Sequence, residues 1–561
     1  MLRLCEGFGI GIFGQLAPFV AGFLVACGAP PPEDPDGTEA ETVGNESLPA
    51  LAVPALAWQA CGEDFPAAEC ALAIVPLDYD RPRGMTTTLA LSRIPAPDKE
   101  HKIGTVFVNP GGPGASGVAL VLNGFGEYLS ALLGGRFDVV GFDPRGIAAS
   151  DPLLCFDTGA ERDAFVAALP YFPYLREQER PYFMAGRELA ERCTADRGKR
   201  IASHMSTADV VRDLDLLRQA VGDRRLTYLG FSYGSYIGNT YANLFPSKVR
   251  ALVIDGVLDP RLWSSGWQIL SDRGATDQVF DEFLRLCDEA GDDCALHGPE
   301  GAAARYEALA SALKETPLVF DDGFVVSYDF LVALTASALY APESWGGPEG
   351  YAALFAALAD AVLGDAAAAR EAAELRALLE ERTKPPPASE VYDNWFEAYF
   401  GNQCADSEYP PSFAQFRATA RFAERNSRFG PFWWWNNASC ATWPTSPDRY
   451  TGPWTARTSA PVLVVGNYFD PATDYAGAVA SDALLGNSRL LSYAGWGHTA
   501  FGRSDCVTRF VVGYLLDGSL PKSGTQCPAN PNPFRTASAR VAAPAPLVGL
   551  PPAWQLAGTT L

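Results

Sequence analysis

The chain has 561 residues, of which 48% are hydrophobic and 19% charged, and its formal net charge is -23. This supply of apolar side chains is enough for a large core and excludes global disorder. The acidic balance, with no cluster of Lys and Arg, excludes a phosphate-binding surface for nucleic acid. No internal repeat of solenoid or propeller period occurs.

The N-terminus carries Arg3, an apolar and glycine-rich stretch from Gly7 to Val25, and then Leu24-Val25-Ala26-Cys27-Gly28. A small residue before a cysteine at the end of an apolar stretch predicts a lipoprotein signal over residues 1–27, with Cys27 lipidated and a membrane attachment through that lipid. A plain secretory signal or a retained anchor helix would use the same composition. Either way the chain is expected in the bacterial cell envelope or outside the cell. Residues 28–55, rich in Pro, Glu, Asp and Gly at their start, read as a tether. Apart from Cys5 and Cys27, ten cysteines remain, an even number that in an exported chain suggests disulfides. Proximity favours Cys61 with Cys70, Cys287 with Cys294 and Cys506 with Cys527. With four histidines and no C-x-x-C pair, no metal site is expected.

From Leu72 onward, apolar runs alternate with helical patterns, which predicts an α/β fold. Eight strands are expected: 73–77, 87–94, 104–109, 137–142, 226–229, 251–254, 462–465 and 490–493. Val210, Val211, Leu214, Leu217 and Val221 recur at helical spacing behind the cap signal Ser206-Thr207-Ala208-Asp209. Between residues 261 and 458 the strand pattern stops and helical stretches take over, the pattern of a cap inserted between core segments 56–260 and 459–530. Residues 531–561 read as an irregular tail.

Gly230-Phe231-Ser232-Tyr233-Gly234 lies between the fifth predicted strand and a plausible helix, the setting in which G-x-S-x-G projects a serine hydroxyl at the carboxyl end of a sheet. Ser232 is therefore the candidate nucleophile, and it needs a base and a carboxylate to orient that base. His498 follows the last predicted strand, on the same sheet edge. Asp470 follows the strand before it, with Asp474 as second choice. The oxyanion donors are expected to be the N–H of Tyr233 and that of Gly112, or else Gly111, in Asn109-Pro110-Gly111-Gly112-Pro113-Gly114. The order Ser232, Asp470, His498 is that of the α/β-hydrolase triad.

These motifs stand with Phe142-Asp143-Pro144-Arg145-Gly146, Asp255-Gly256-Val257-Leu258-Asp259-Pro260, Asp470-Pro471-Ala472-Thr473 and Gly497-His498-Thr499 ahead of Cys506, and their order and spacing cover roughly residues 55–530. In this the chain resembles the secreted tripeptidyl aminopeptidase and proline iminopeptidase branch of the α/β hydrolases. The resemblance implies an α/β-hydrolase fold with a mostly parallel eight-stranded sheet and a large, mainly helical cap. It also implies a serine exopeptidase that takes tripeptides, or other short units, from peptides with a free N-terminus, without a cofactor. A carboxylesterase or lipase would use the same triad, and a non-catalytic peptide-binding protein is a further reading. Asp474 stands where relatives often carry Pro, and Pro110 where they often carry His. Asp143 and Arg145 read as a buried charge pair supporting their loop, outside the site. An aminopeptidase must anchor an ammonium group; Glu397 and Asp406 are candidates, and equally could be solvated surface acids. The run Phe432-Trp433-Trp434-Trp435 could line an apolar pocket or pack within the cap.

Overall fold

The computed structural model describes residues 51–195, 198–383, 393–425, 427–444 and 446–535. The signal segment 1–27 with Cys27, the tether as far as residue 50 and the tail from 536 lie outside the described residues. Every element of secondary structure among the described residues belongs to one compact unit, Ala52–Leu561.

Among the described residues twelve strands occur in chain order: β1 (Gln59–Ala60), β2 (Glu69–Pro76), β3 (Thr86–Ile94), β4 (Gly104–Asn109), β5 (Phe137–Phe142), β6 (Leu226–Phe231), β7 (Val249–Asp255), β8 (Leu318–Val319), β9 (Val325–Val326), β10 (Val462–Phe469), β11 (Ser488–Trp496) and β12 (Gln526–Cys527). Ten of them form one sheet in the order β1-β2-β3-β5-β4-β6-β7-β10-β11-β12. Pairing is antiparallel from β1 through β3 to β5, and parallel from β5 to β12. All eight expected strands are present. The sheet is larger than expected because β1 and β12 add two-residue edges, too short to show alternation.

The parallel strands are apolar on both faces, as strands covered by helices must be. In β4, Phe107 joins the cluster that includes Val210, Leu214, Tyr236 and Ile237, while Val106 and Val108 join the one with Phe125, Leu129, Val507 and Val511. Successive side chains alternate faces, so each strand serves both cores. The helix Thr207–Ala220 begins at Ser206, whose side chain accepts from the Asp209 N–H, as the cap signal predicts.

A third apolar cluster fills the cap. It draws on the insertion and also on Leu153, Phe172, Phe183, Leu189 and Met205, from the segment between β5 and β6. These five residues, placed in the core segment by sequence, thus share the cap's interior. The cap is not wholly helical: β8 and β9 form a hairpin whose turn contains Asp321-Asp322-Gly323, with Gly323 at φ 86. At the other end of the chain, Phe534 is buried against Phe283 and Trp345, so the start of the tail docks on the cap.

Among the described residues five disulfides join Cys61 to Cys70, Cys155 to Cys193, Cys287 to Cys294, Cys404 to Cys440 and Cys506 to Cys527. The three pairs favoured by proximity are among them.

Candidate active site

β6 ends at Phe231 and the helix Tyr233–Leu244 begins two residues later, so Ser232 alone makes the turn, at φ 56 and ψ -122. A non-glycine residue there costs about 1–3 kcal/mol and persists only where its surroundings enforce it. The enforcement is visible. The Ser232 N–H donates to the Asp255 carbonyl at 2.9 Å, and the Ser232 carbonyl accepts from the Ser235 N–H at 2.7 Å. The flanking glycines supply room rather than positive φ. A Cβ on Gly230 would lie 2.4 Å from the Gly234 carbonyl oxygen, and one on Gly234 would lie 2.9 Å from that of Asn109.

Asp470 and His498, 28 residues apart in sequence, meet directly: His498 Nδ1 lies 2.8 Å and 3.0 Å from the two carboxylate oxygens. The N–H groups of Ala472, Thr473 and Thr499 also donate to this carboxylate. Burial pushes the Asp470 carboxyl up, but the facing His498 and these donors outweigh it and hold it below its ordinary value. Asp474, the second choice, instead caps the helix Tyr475–Leu484 by accepting from the Ala476 N–H.

The His498 loop is held from several sides. Its N–H donates to the Tyr340 carbonyl, the Tyr340 ring meets the imidazole edge-on at 5.0 Å, and Arg503 donates to the carbonyls of His498 and Thr499. Asp255 accepts from the N–H groups of Ala500 and Phe501; burial raises its carboxyl to about 6. Asp255 also receives the Ser232 N–H, and a Cβ on the next residue, Gly256, would lie 3.1 Å from His498 Cε1. Ser232 and His498 therefore share one rim, joined through β7. His498 Nε2 is buried and makes no hydrogen bond among the described residues. The other histidines are elsewhere: His101 meets Asp98 and His297 meets Asp288, while His204, Asp209 and Asp448 bring ligand atoms within 4.8 Å of one another. In that last group Asp209 is already engaged by Ser206 and Arg212.

Tyr233 is the first residue of its helix, so its N–H has no intrahelical acceptor. Across from it, Gly111 is pressed against the elbow, where a Cβ would lie 2.4 Å from the Phe231 carbonyl oxygen and 3.0 Å from the Tyr233 nitrogen. The Gly111 N–H is spent on Asn109 Oδ1 at 2.9 Å. No hydrogen bond among the described residues takes up the Gly112 N–H.

Several residues take other roles than sequence suggested. Arg145 does form a buried ion pair, but with Asp213 at 2.6 Å; Asp143 accepts from the Ser116 hydroxyl and the N–H groups of Val118 and Ala149. Phe432 to Trp435 are all buried in the cap, and Trp433 Nε1 donates to Thr276 Oγ1, which donates in turn to the Pro471 carbonyl. That run is packing, tied to the Asp470 loop. Glu397 and Asp406 are 0% and 1% exposed, so neither is a solvated acid. Asp406 is engaged by the N–H and hydroxyl of Thr207 at 2.9 Å and 2.6 Å.

One residue escaped the sequence reading. Asp272, in the cap helix Gln268–Ala290, is 2% exposed and has no cationic partner among the described residues. Gln268 Nε2 donates to it at 2.6 Å, while Gln268 Oε1 is a buried acceptor without a donor among the described residues. Burial pushes the Asp272 carboxyl well up, and the charges of Asp474 and Asp470 add to the effect. Its field reaches Tyr340, which touches His498, and Tyr399, whose backbone nitrogen abuts Gly114 of the glycine-rich loop. In sequence it sits in Ser271-Asp272-Arg273, which reads as a surface triplet.

Comparison with known proteins bears on this arrangement. Residues 104–285 match the family described as alpha/beta hydrolase fold, and residues 425–527 the family described as TAP-like protein. The chain is 32% identical over 496 residues to serine protease Hip1 of Mycobacterium tuberculosis, covering 84% of this chain and 90% of that one. The chain belongs to the α/β-hydrolase family. Other relatives in the α/β-hydrolase family are tripeptidyl aminopeptidase of Streptomyces lividans, 31% identical over 85% of this chain and 87% of that one, and carboxylesterase B of Mycobacterium tuberculosis, 31% identical over 87% and 93%. This α/β hydrolase is a serine hydrolase.

Proposed function

We propose that the chain is an aminopeptidase that releases tripeptides or other short units from free peptide N-termini through an acyl-enzyme on Ser232. Asp470 holds the Nδ1–H of His498, which makes Nε2 the free base. His498 takes the Ser232 proton as the hydroxyl attacks the scissile carbonyl. The N–H groups of Tyr233 and Gly112 bind the oxyanion. The departing amine then takes the proton from His498, and water repeats the cycle to release the peptide acid.

The observation that carries the peptidase reading is Asp272. A buried carboxyl without a cationic partner among the described residues, beside a Gln268 carbonyl without a donor there, matches an ammonium group, which brings a positive charge and three N–H donors. An ester needs neither. The similarity to carboxylesterase B keeps ester hydrolysis as the second reading. Tripeptide anilides with free and with acylated N-termini, run beside short-chain esters, separate the two. Wild type is expected to favour the free amine, and Asp272→Asn to lower that preference by about 30-fold or more, the usual effect of breaking a buried charge pair. Ester turnover stays unchanged in the variant. Equal cleavage of blocked peptides, or turnover of esters alone, rejects the aminopeptidase.

Export and a lipid anchor on Cys27 belong to the same proposal. Five disulfides favour an oxidising compartment. Cys27→Ala is expected to move the protein from the membrane fraction to the soluble one when cells are fractionated; an unchanged distribution removes the anchor.

A further inference from the structure

We propose that one helix of the cap, Trp395–Asp406, sets the oxyanion site from both sides, and that Asp406 and Thr207 are positioning residues for the Tyr233 N–H. The inference rests on the oxyanion roles given above to Tyr233 and Gly112.

The first half of the helix limits the glycine-rich loop. A Cβ on Gly114 would lie 2.9 Å from the Tyr399 nitrogen and 3.0 Å from the Trp395 carbonyl oxygen, so that loop touches the helix backbone itself. On its other side the loop meets the elbow through Gly111. Gly112 is thus clamped between a cap helix and the nucleophile turn.

The far end of the helix reaches the other donor. Asp406 accepts from the Thr207 N–H and Thr207 Oγ1, and Thr207 Oγ1 shares a short hydrogen bond with the Tyr233 hydroxyl. All three residues are at most 1% exposed. Thr207 gives its single hydroxyl proton to the carboxylate, so its oxygen accepts the proton of Tyr233. The Tyr233 ring also packs against Trp263 at 5.5 Å. The residue whose N–H faces the oxyanion is therefore fixed at its ring tip as well as along its backbone.

The helix is rigidly seated on the core. The Asn394 side chain, at its start, donates to the carbonyls of Gly146 and Leu153 and accepts from the Ala148 N–H. Asn402 Nδ2 donates to the Met205 carbonyl at 2.7 Å, and Cys404 is bonded to Cys440. Gly401 has no room for a Cβ, which would lie 2.6 Å from Met205 Cε. A seated helix transmits position, since packed interiors yield little to small displacements.

The test uses the full chain with Thr207→Val, Thr207→Ser, Tyr233→Phe and the double variant Thr207→Val/Tyr233→Phe. Active-site titration with a fluorophosphonate counts folded sites, so that kcat refers to them alone. A peptide aldehyde, which forms a tetrahedral adduct on Ser232, reports the oxyanion site; a product-like peptide acid reports ground-state binding. Thr207→Val and Tyr233→Phe are each expected to lower kcat about tenfold, the scale of a sub-ångström misplacement. Aldehyde affinity falls by the same factor, while KM and peptide-acid affinity hold. Thr207→Ser restores wild-type values, and the double variant is no worse than the single ones. Unchanged aldehyde affinity, a parallel loss of peptide-acid affinity, or failure of serine to rescue overturns the positioning role. If wild type binds the aldehyde no more tightly than Ser232→Ala does, no tetrahedral adduct forms and the underlying reading of Ser232 with its oxyanion donors fails, which is a different result.

Discussion

Ser232→Ala is expected to lower kcat by about 10⁶-fold while leaving KM nearly unchanged, because it removes the bond-forming atom and leaves the binding surface in place. Residual turnover, about 10³-fold above the uncatalysed rate, would come from the oxyanion donors and substrate orientation. The elbow outlives the substitution: its shape depends on the Ser232 backbone bonds to Asp255 and Ser235 and on the room at Gly230 and Gly234, none of which uses the hydroxyl. A thermal melt within a few degrees of wild type checks that the fold is intact. A variant that is folded yet retains more than about a hundredth of kcat contradicts the nucleophile assignment.

Asp470→Asn is expected to lower kcat by about 10⁴-fold at neutral pH with the fold unchanged. Both carboxylate oxygens only accept: one from Ala472 and Thr473, the other from Thr499, with His498 Nδ1 within 3.0 Å of each. An amide cannot satisfy that set. Its Oδ1 is best kept by the Ala472 and Thr473 N–H groups, which turns the NH2 toward His498 and Thr499. The imidazole then answers by accepting at Nδ1 and carrying its proton on Nε2, the wrong tautomer for a base. Rates across pH 5 to 9 with one anilide substrate check this. A loss of less than tenfold would show that Asp470 does not orient the imidazole.

The two residues were legible in the sequence for a common reason. Each follows a parallel strand of the central sheet, and such strands, buried on both faces, appear as short, largely apolar runs that mark their own ends. Val462-Leu463-Val464-Val465 points to Asp470 in this way, and Leu226 to Leu229 points to Ser232. The cap offers no such signal. All 12 residues of the helix Trp395–Asp406 are buried, so it has no polar face and no amphipathic period to reveal it. Asp272 and Asp406 were obscure because burial, the property that matters, comes from partners far away in the chain. Thr207 and Asp406 are 199 residues apart. Arg145 found Asp213 rather than the nearer Asp143, again through a contact 68 residues away. Motifs carried by one turn were visible, and constellations assembled by the cap were not.

The central claim is that Ser232 is the nucleophile and His498 its base. Fluorophosphonate labelling, followed by digestion and mass spectrometry, tests it most directly. The account predicts a single adduct, on Ser232, forming at least about 10³-fold more slowly in His498→Ala, since a serine without its base is a poor nucleophile. An adduct on any other residue, or an undiminished labelling rate in His498→Ala, would contradict it.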